Sequence, residues 1–456
     1  MTTPLNLDAL FRAYDEGVSA EHIVRQVYAR IAEVADPCIF ISLRDEADVL
    51  EEIRAMGPRD ASKPLWGVPF AVKDNIDVAG MATTAACPAW EYSPAQDAFV
   101  VARLREAGAI VIGKTNLDQF ATGLVGVRTP YGAPKNAIDP EIVPGGSSGG
   151  SGVAVAHGIV SFALGTDTAG SGRVPAALNN IVGLKPTLGS WSASGSVPAC
   201  RSVETISVFG LTVEDAYQVY RTAAVFDPGD SYARRIEARP LETPPSGLRI
   251  GVPDAATLKT FGDTVQETSF RAALSLLEKA GHQVVEMDFT CFYDVAEMLY
   301  EGAWVAERYS VIEQLLARDP EAILPVTRQI ICKAEQLSAT DAFRGFYRLK
   351  DLARRVEGPL SQVDLLCVPT IPTFYTVAEL DADPVGPNSN LGTYTNFVNL
   401  LDMCGLAVPV PPRTDGRPGS VTLLGAAGKD ALLAETALGL EKAGTRTLGA
   451  TGWKRT

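Results

Sequence analysis

Apolar positions change their spacing several times along the chain, and each change marks a different kind of element. The first 60 residues repeat at helical intervals, Leu7, Leu10, Phe11 and Tyr14, then Ile23, Val24, Val27 and Ile31, with Ser19 and Asp60 at cap or loop positions. Val68, Phe70 and Val72 then alternate in a short strand that closes on Lys73-Asp74-Asn75. Residues 97–124 read as helix, strand, helix, and residues 153–164 as a short helix followed by the strand IVSFALG. From about residue 240 the chain reads strand (GLRIGVP), helix (ETSFRAALSLLEKAG) and strand (HQVVEMDF). A strongly helical segment over 295–350 follows, then VDLLCVPTIP as a buried strand and a last helix over 430–443. The tail GWKRT has no apolar pattern and is expected to be loose. Strands alternating with helices indicate an α/β chain, expected to form one large unit, with two domains as the alternative.

Between Pro144 and Thr187 the pattern gives way to small residues. Gly145-Gly146-Ser147-Ser148-Gly149-Gly150-Ser151-Gly152 opens a short apolar segment, and Thr168-Ala169-Gly170-Ser171-Gly172 follows one strand later. The serines Ser147 and Ser171 stand 24 residues apart, one in each loop. Glycine lets backbone N–H groups approach a bound atom, and successive N–H groups form a nest that attracts negative charge. A hydroxyl beside such a nest provides what acyl transfer needs, a nucleophile and an oxyanion hole. If the sheet is parallel here, both loops can lie at the carboxyl ends of its strands, where ligands gather.

These loops, followed by Arg173, Pro175 and GLKPT, resemble the amidase signature family of serine hydrolases, and most nearly its allophanate hydrolase branch. The resemblance extends from Lys73 into the C-terminal third, where GTYTNFVNLLDMCGLAVPVP is similar to an element that returns to the site. Ala169 and Gly172 depart from the commoner family pattern and are similar to that branch. The resemblance implies an α/β fold with a large mixed β-sheet covered by helices on both faces. It places one amidase domain over 1–456, with the catalytic core at about 60–215 and a substrate-shaping helical insert at about 240–360. Allophanate hydrolases often continue into a further C-terminal domain; none is expected here, where the sequence reads as a shortened or shorter form ending at Thr456.

Site roles are carried over on the same basis: Ser171 as nucleophile, Ser147 as bridge on a cis peptide, Lys73 as base, and the N–H groups of Thr168, Ala169, Gly170 and Ser171 as oxyanion hole. Taken alone, a lysine closing an apolar strand favours an exposed place at the strand mouth; the family context reverses that. The chemistry agrees with the reversal. A serine is a poor nucleophile until a base takes its proton, and a lysine can do so only when burial lowers its pKa from about 10.4 toward about 7–8. Apolar Val68, Phe70, Val72 and Ile76 surround Lys73 in sequence. The three histidines, His22, His157 and His282, fall at positions that suit surface or packing roles.

Tyr300 and Arg308 lie eight residues apart on what reads as one helix, within about 80° of the same face. On spacing alone, an exposed arginine pairing with Glu301 or Glu307 competes with a binding role. The segment resembles the allophanate hydrolase sequence in which this tyrosine and arginine hold the substrate carboxylate. By that resemblance Arg308 and Tyr300 bind the carboxylate of allophanate, and Gly123 offers backbone groups to its urea end. The expected partner is a small carboxylated urea or amide, with no metal and no organic cofactor. The alternatives are a broader amidase, the glutamine-hydrolysing subunit of a tRNA amidotransferase, or a silent scaffold subunit in such a complex.

Two competing motifs are set aside. Gly108 to Thr115, GAIVIGKT, matches the P-loop letters, but Ala109 to Ile112 are themselves the strand, so no phosphate nest can form. Gly146 to Gly150 fits G-x-S-x-G with Ser148 as nucleophile, but a proline-rich loop precedes it where a strand is required. A net charge of −14 argues against nucleic acid as partner. Seven cysteines, odd in number and never as C-x-x-C, point to reduced thiols in a cytoplasmic protein. The N-terminus is amphipathic rather than an apolar signal, and no run reaches about 20 apolar residues, so no membrane contact is expected. Homodimerisation is expected from the resemblance.

Overall fold

The computed structural model describes residues 2–443 and 446–455. Its frame is an eleven-stranded mixed sheet. In chain order the strands are β1 (Phe40–Leu43), β2 (Pro69–Lys73), β3 (Ile110–Thr115), β4 (Phe162–Thr166), β5 (Val182–Lys185), β6 (Ile206–Gly210), β7 (Arg249–Pro253), β8 (Gln283–Met287), β9 (Leu365–Pro369), β10 (Met403–Val410) and β11 (Gly419–Ala426). Across the sheet they run β1-β3-β2-β4-β6-β5-β10-β11-β9-β7-β8.

The part that positions the site is the trio β3-β2-β4. Both pairs are parallel, with Lys73 beside Thr115 on one side and Phe70 beside Phe162 on the other. Every residue of β2, β3 and β4 is buried, since helices and neighbouring strands enclose them. This is why Lys73 reads ambiguously: the alternation of Val68, Phe70 and Val72 suggests a strand with one exposed face, whereas β2 is buried on both faces up to its polar end. Thr166, closing β4, falls at the same end of the sheet as Lys73.

The P-loop letters are a strand here, and Lys114 is buried against Asp74 Oδ1 (3.2 Å), Thr83 Oγ1 (3.0 Å) and Ala82 O (3.1 Å). All seven cysteines are free thiols. No helix among the described residues is long and apolar enough to cross a membrane.

Three expectations are corrected. The helical stretch over 295–350 is several helices, and the break between Thr290–Glu301 and Ala303–Arg318 falls at Gly302, whose extended backbone (φ −126°, ψ −153°) ends the first and begins the second. Tyr300 and Arg308 therefore do not share a helix. The tail is not loose up to Arg455: Leu448 N–H donates to Trp453 O (2.9 Å) and Arg455 pairs with Glu441 (2.7 Å). Finally, β1 forms within what reads as an outer helical segment, where Phe40 to Leu43 pair antiparallel with β3.

Candidate active site

Both Gly/Ser loops lie at the carboxyl ends of the parallel trio. Beyond β3, Gly150 N–H donates to Asn116 O (3.0 Å), and the hydroxyls of Thr115 and Ser151 meet at 2.6 Å. The first loop then leads into the helix Gly149–Ala156, and the second follows β4 directly into Val174–Leu178. Asn179 Nδ2 ties the two together by donating to Pro144 O (2.7 Å).

Lys73 is fully buried, and its Nζ is 2.7 Å from Ser147 Oγ and 2.8 Å from Thr166 Oγ1. Burial pulls its pKa down to about 8, against the opposing pull of Glu204, Asp118 and Asp167. The Gly146–Ser147 peptide is cis. Its place demands glycine at 146, because a Cβ there would lie 2.0 Å from Asp118 Oδ2. Asp118 N–H donates to Ser147 O (3.0 Å), and the Asp118 carboxylate accepts from the N–H groups of Val125 (3.3 Å), Gly126 (3.0 Å) and Arg128 (2.8 Å). One acid thus folds the loop containing Gly123 onto the serine.

The second loop is held by Asp167. Its carboxylate accepts from Gly170 N–H (3.0 Å) and Gly172 N–H (3.0 Å) and makes a bidentate pair with Arg173 (Nε 2.9 Å, Nη2 2.9 Å). Arg173 Nη2 also reaches Thr395 O (3.2 Å), and Asn399 Nδ2 donates to Asp167 O (2.6 Å), so the late segment does return to this loop. Gly170 takes φ +128°, and a Cβ there would meet Thr395 Oγ1 at 2.5 Å.

Of the four N–H groups expected in the oxyanion hole, that of Gly170 is donated to Asp167, whereas those of Thr168, Ala169 and Ser171 have no partner among the described residues. The Ser171 side chain is 2% exposed, and its hydroxyl makes no hydrogen bond among the described residues. The structure therefore joins Lys73 to Ser147 and leaves Ser171 unattached beside three free donors. Ser148 is placed differently: its Oγ lies 3.3 Å from Thr166 O and accepts from Thr166 N–H at 3.4 Å. No strand leads directly into it: residues 143–147 are loop.

Although on separate helices, Tyr300 and Arg308 meet. The Arg308 guanidinium lies over the Tyr300 ring, 4.8 Å from its centroid. Arg308 is 2% exposed and makes no ion pair among the described residues; Glu307 instead accepts from Ser202 N–H and Oγ (2.7 Å each). Arg308 Nη1 makes one long contact, 3.5 Å to Thr122 Oγ1, next to Gly123, while its Nε and Nη2 and the Tyr300 hydroxyl are buried with no partner. A buried cation with unmet donors is costly unless an anion meets it.

Sequence reasoning missed Thr166, Asp118, Asp167 and Glu204. Thr166 and Thr168 share one face of the β4 continuation, a period-two signal visible in GTDT once the strand's end is known.

Comparison with known proteins bears on the family to which this fold belongs. The amidase family model matches residues 22–434. A urea amidolyase from Lachancea kluyveri is 47% identical over 91% of this chain, which spans only 23% of that relative's length. A glutamyl-tRNA(Gln) amidotransferase subunit from Nitratidesulfovibrio vulgaris is 36% identical, with 93% of each chain covered. The crystal structure of a Kluyveromyces lactis allophanate hydrolase superposes with a TM-score of 0.92 at 40% identity, covering 99% of this chain and 75% of that one. The sheet, the two Gly/Ser loops and the extent of these matches lead to one conclusion: the chain belongs to the amidase family.

Proposed function

We propose that this chain hydrolyses the terminal amide of allophanate (urea-1-carboxylate) by way of an acyl-enzyme on Ser171. The observation that supports it most is the buried Arg308, which has no ion pair among the described residues and two nitrogens without a hydrogen-bond partner there, beside the likewise unpartnered Tyr300 hydroxyl. Together they form a receptor for a planar carboxylate, which an arginine fork binds bidentately. The similarity to a urea amidolyase and to an allophanate hydrolase supports the same substrate.

With the carboxylate on Arg308 and the urea end beside Gly123, the terminal carbonyl would face Ser171. The Ser171 oxygen attacks that carbon while its proton passes to Ser147 Oγ, and the proton of Ser147 passes to neutral Lys73. A neutral amine keeps two N–H bonds and one lone pair. Thr166 Oγ1 accepts one N–H, which turns the lone pair toward Ser147. The oxyanion that forms is met by the N–H groups of Thr168, Ala169 and Ser171. Collapse returns the proton by the same route to the leaving nitrogen, and ammonia departs. Water then attacks the Ser171 ester and releases N-carboxycarbamate, which decomposes to carbon dioxide and a second ammonia. A homodimer in the cytoplasm belongs to this proposal through the same resemblance.

Ammonia release by the purified chain tests it. Allophanate is expected to be turned over with kcat/KM at least about 100-fold above glutamine and simple aliphatic amides, since a hydrogen-bonded charged contact discriminates by about 3 kcal/mol. Glutamine as the preferred substrate would favour the amidotransferase-subunit reading instead.

A further inference from the structure

Glu204 is a buried carboxylate with no part in the proton path from Ser171 to Lys73. β4 and β6 run antiparallel with Phe162 opposite Gly210 and Thr166 opposite Ile206, and Asp167 N–H continues the ladder to Thr205 O at 2.8 Å. One step forward on one strand matches one step back on the other, so the same register sets Thr168 opposite Glu204. There Thr168 Oγ1 donates to Glu204 Oε2 at 2.7 Å, and Ala199 N–H donates to the same oxygen at 2.6 Å. The second oxygen, Oε1, is buried and unpartnered among the described residues, although Glu204 borders a cavity of about 330 Å³.

The charged groups around this pair of sites are few. Lys73 Nζ meets Thr166 Oγ1 (2.8 Å) and Glu204 meets Thr168 Oγ1 (2.7 Å), two residues further along the same face, so amine and carboxylate lie on one side of β4; Asp118 after β3 and Asp167 after β4 are the other acids that act on the amine. Glu204 is faced by Lys73 and by Arg308 from the helix Ala303–Arg318. Asp167 is met by Arg173 and two backbone N–H groups, and Asp118 by three backbone N–H groups. Glu204 is the acid of the three with an oxygen left over, so its charge is the one least met by local donors.

We propose that Glu204 is a positioning residue of this site: through Thr168 it holds the first N–H of the oxyanion loop, and its carboxylate is the counter-charge that faces Lys73 along the same face of β4. The inference rests on the Lys73–Ser147–Ser171 reading. Burial alone would make the amine too weak a base to draw on a serine hydroxyl, and a nearby anion restores part of its basicity. Glu204 is the leading acid in that opposition, while burial in turn pushes its own carboxyl above the ordinary range.

The test is the second-order rate at which a fluorophosphonate labels the full chain, followed against pH. Glu204→Gln keeps an acceptor for Thr168 and Ala199 but removes the charge. Its acid-side midpoint is expected to fall by about one pH unit. Thr168→Val keeps the charge and loses the hydrogen bond, so its plateau drops by about tenfold with the midpoint unmoved. Glu204→Asp, which retains the charge, stays at the wild-type midpoint, and serves if the glutamine variant does not fold. A Glu204→Gln midpoint equal to wild type, or a Glu204→Asp midpoint displaced downward by about one unit, overturns the proposal. A limb that vanishes in Lys73→Met yet ignores Glu204→Gln overturns the role of Glu204 alone. A limb that survives Lys73→Met overturns the triad reading with it.

Discussion

Ser171→Ala is expected to lose all covalent labelling by a fluorophosphonate and to hydrolyse amides at least about 10⁴-fold more slowly than the parent. Ser171 has an unattached hydroxyl and stands in the loop that offers the free N–H groups of Thr168, Ala169 and its own backbone. Ser147→Ala is expected to fall nearly as far, because the proton has no other path to Lys73, and the double variant should be little worse than either single one. Groups that act as a unit do not add. Ser148→Ala should keep its labelling, since that hydroxyl is turned toward the backbone of Thr166. Loss of labelling in Ser148→Ala alone would restore the G-x-S-x-G arrangement and remove Ser171 from the mechanism.

Arg308→Ala is expected to raise KM for allophanate by about 10²-fold, with a smaller change in kcat. Truncating one partner of a buried, charge-assisted contact costs about 2–5 kcal/mol, and about 1.4 kcal/mol is tenfold. Uncharged amides should be unaffected, and Arg308→Lys should recover little, because a point charge lacks the planar fork. Stability should move the other way. In the free protein Arg308 is buried without an ion pair among the described residues, so Arg308→Met is expected to stabilise the chain by about 1–3 kcal/mol in denaturant unfolding. An unchanged KM for allophanate in Arg308→Ala would remove this residue from substrate binding.

What the sequence could reveal divides along physical lines. The two Gly/Ser loops were legible because close backbone approach leaves little choice of residue: at Gly146 a Cβ would strike Asp118, and at Gly170 it would strike Thr395. The end of β2 was legible too, because a polar pair closing an apolar run marks a strand's end. The burial of Lys73 was not, since spacing alone does not tell a strand mouth from a sheet interior. Tyr300 and Arg308 were paired for a reason the fold does not use. They meet because the chain turns at Gly302 and brings two helices together, and a lone glycine in a helical pattern does not announce a break. Thr166 depended on the pairing of β2 with β4, and Glu204 on the register between β4 and β6, which strands distant in sequence do not disclose. The attachment of the tail rests on Arg455 meeting Glu441, a pairing between segments that no local pattern encodes.

In the proposed mechanism the chemistry turns on an amine that burial makes easier to deprotonate, and the most direct measurement is the wild-type rate of fluorophosphonate labelling as a function of pH. Burial lowers the Lys73 pKa to about 8, so the protonated, inactive form dominates below that value and the neutral form above it. The rate should therefore rise about tenfold per pH unit on the acid side and level off above about pH 8, with Lys73→Met slow by about 10³-fold and without this limb. A wild-type rate that is flat from about pH 6 to about pH 10, or a Lys73→Met enzyme labelled as fast as wild type, would contradict a lysine base.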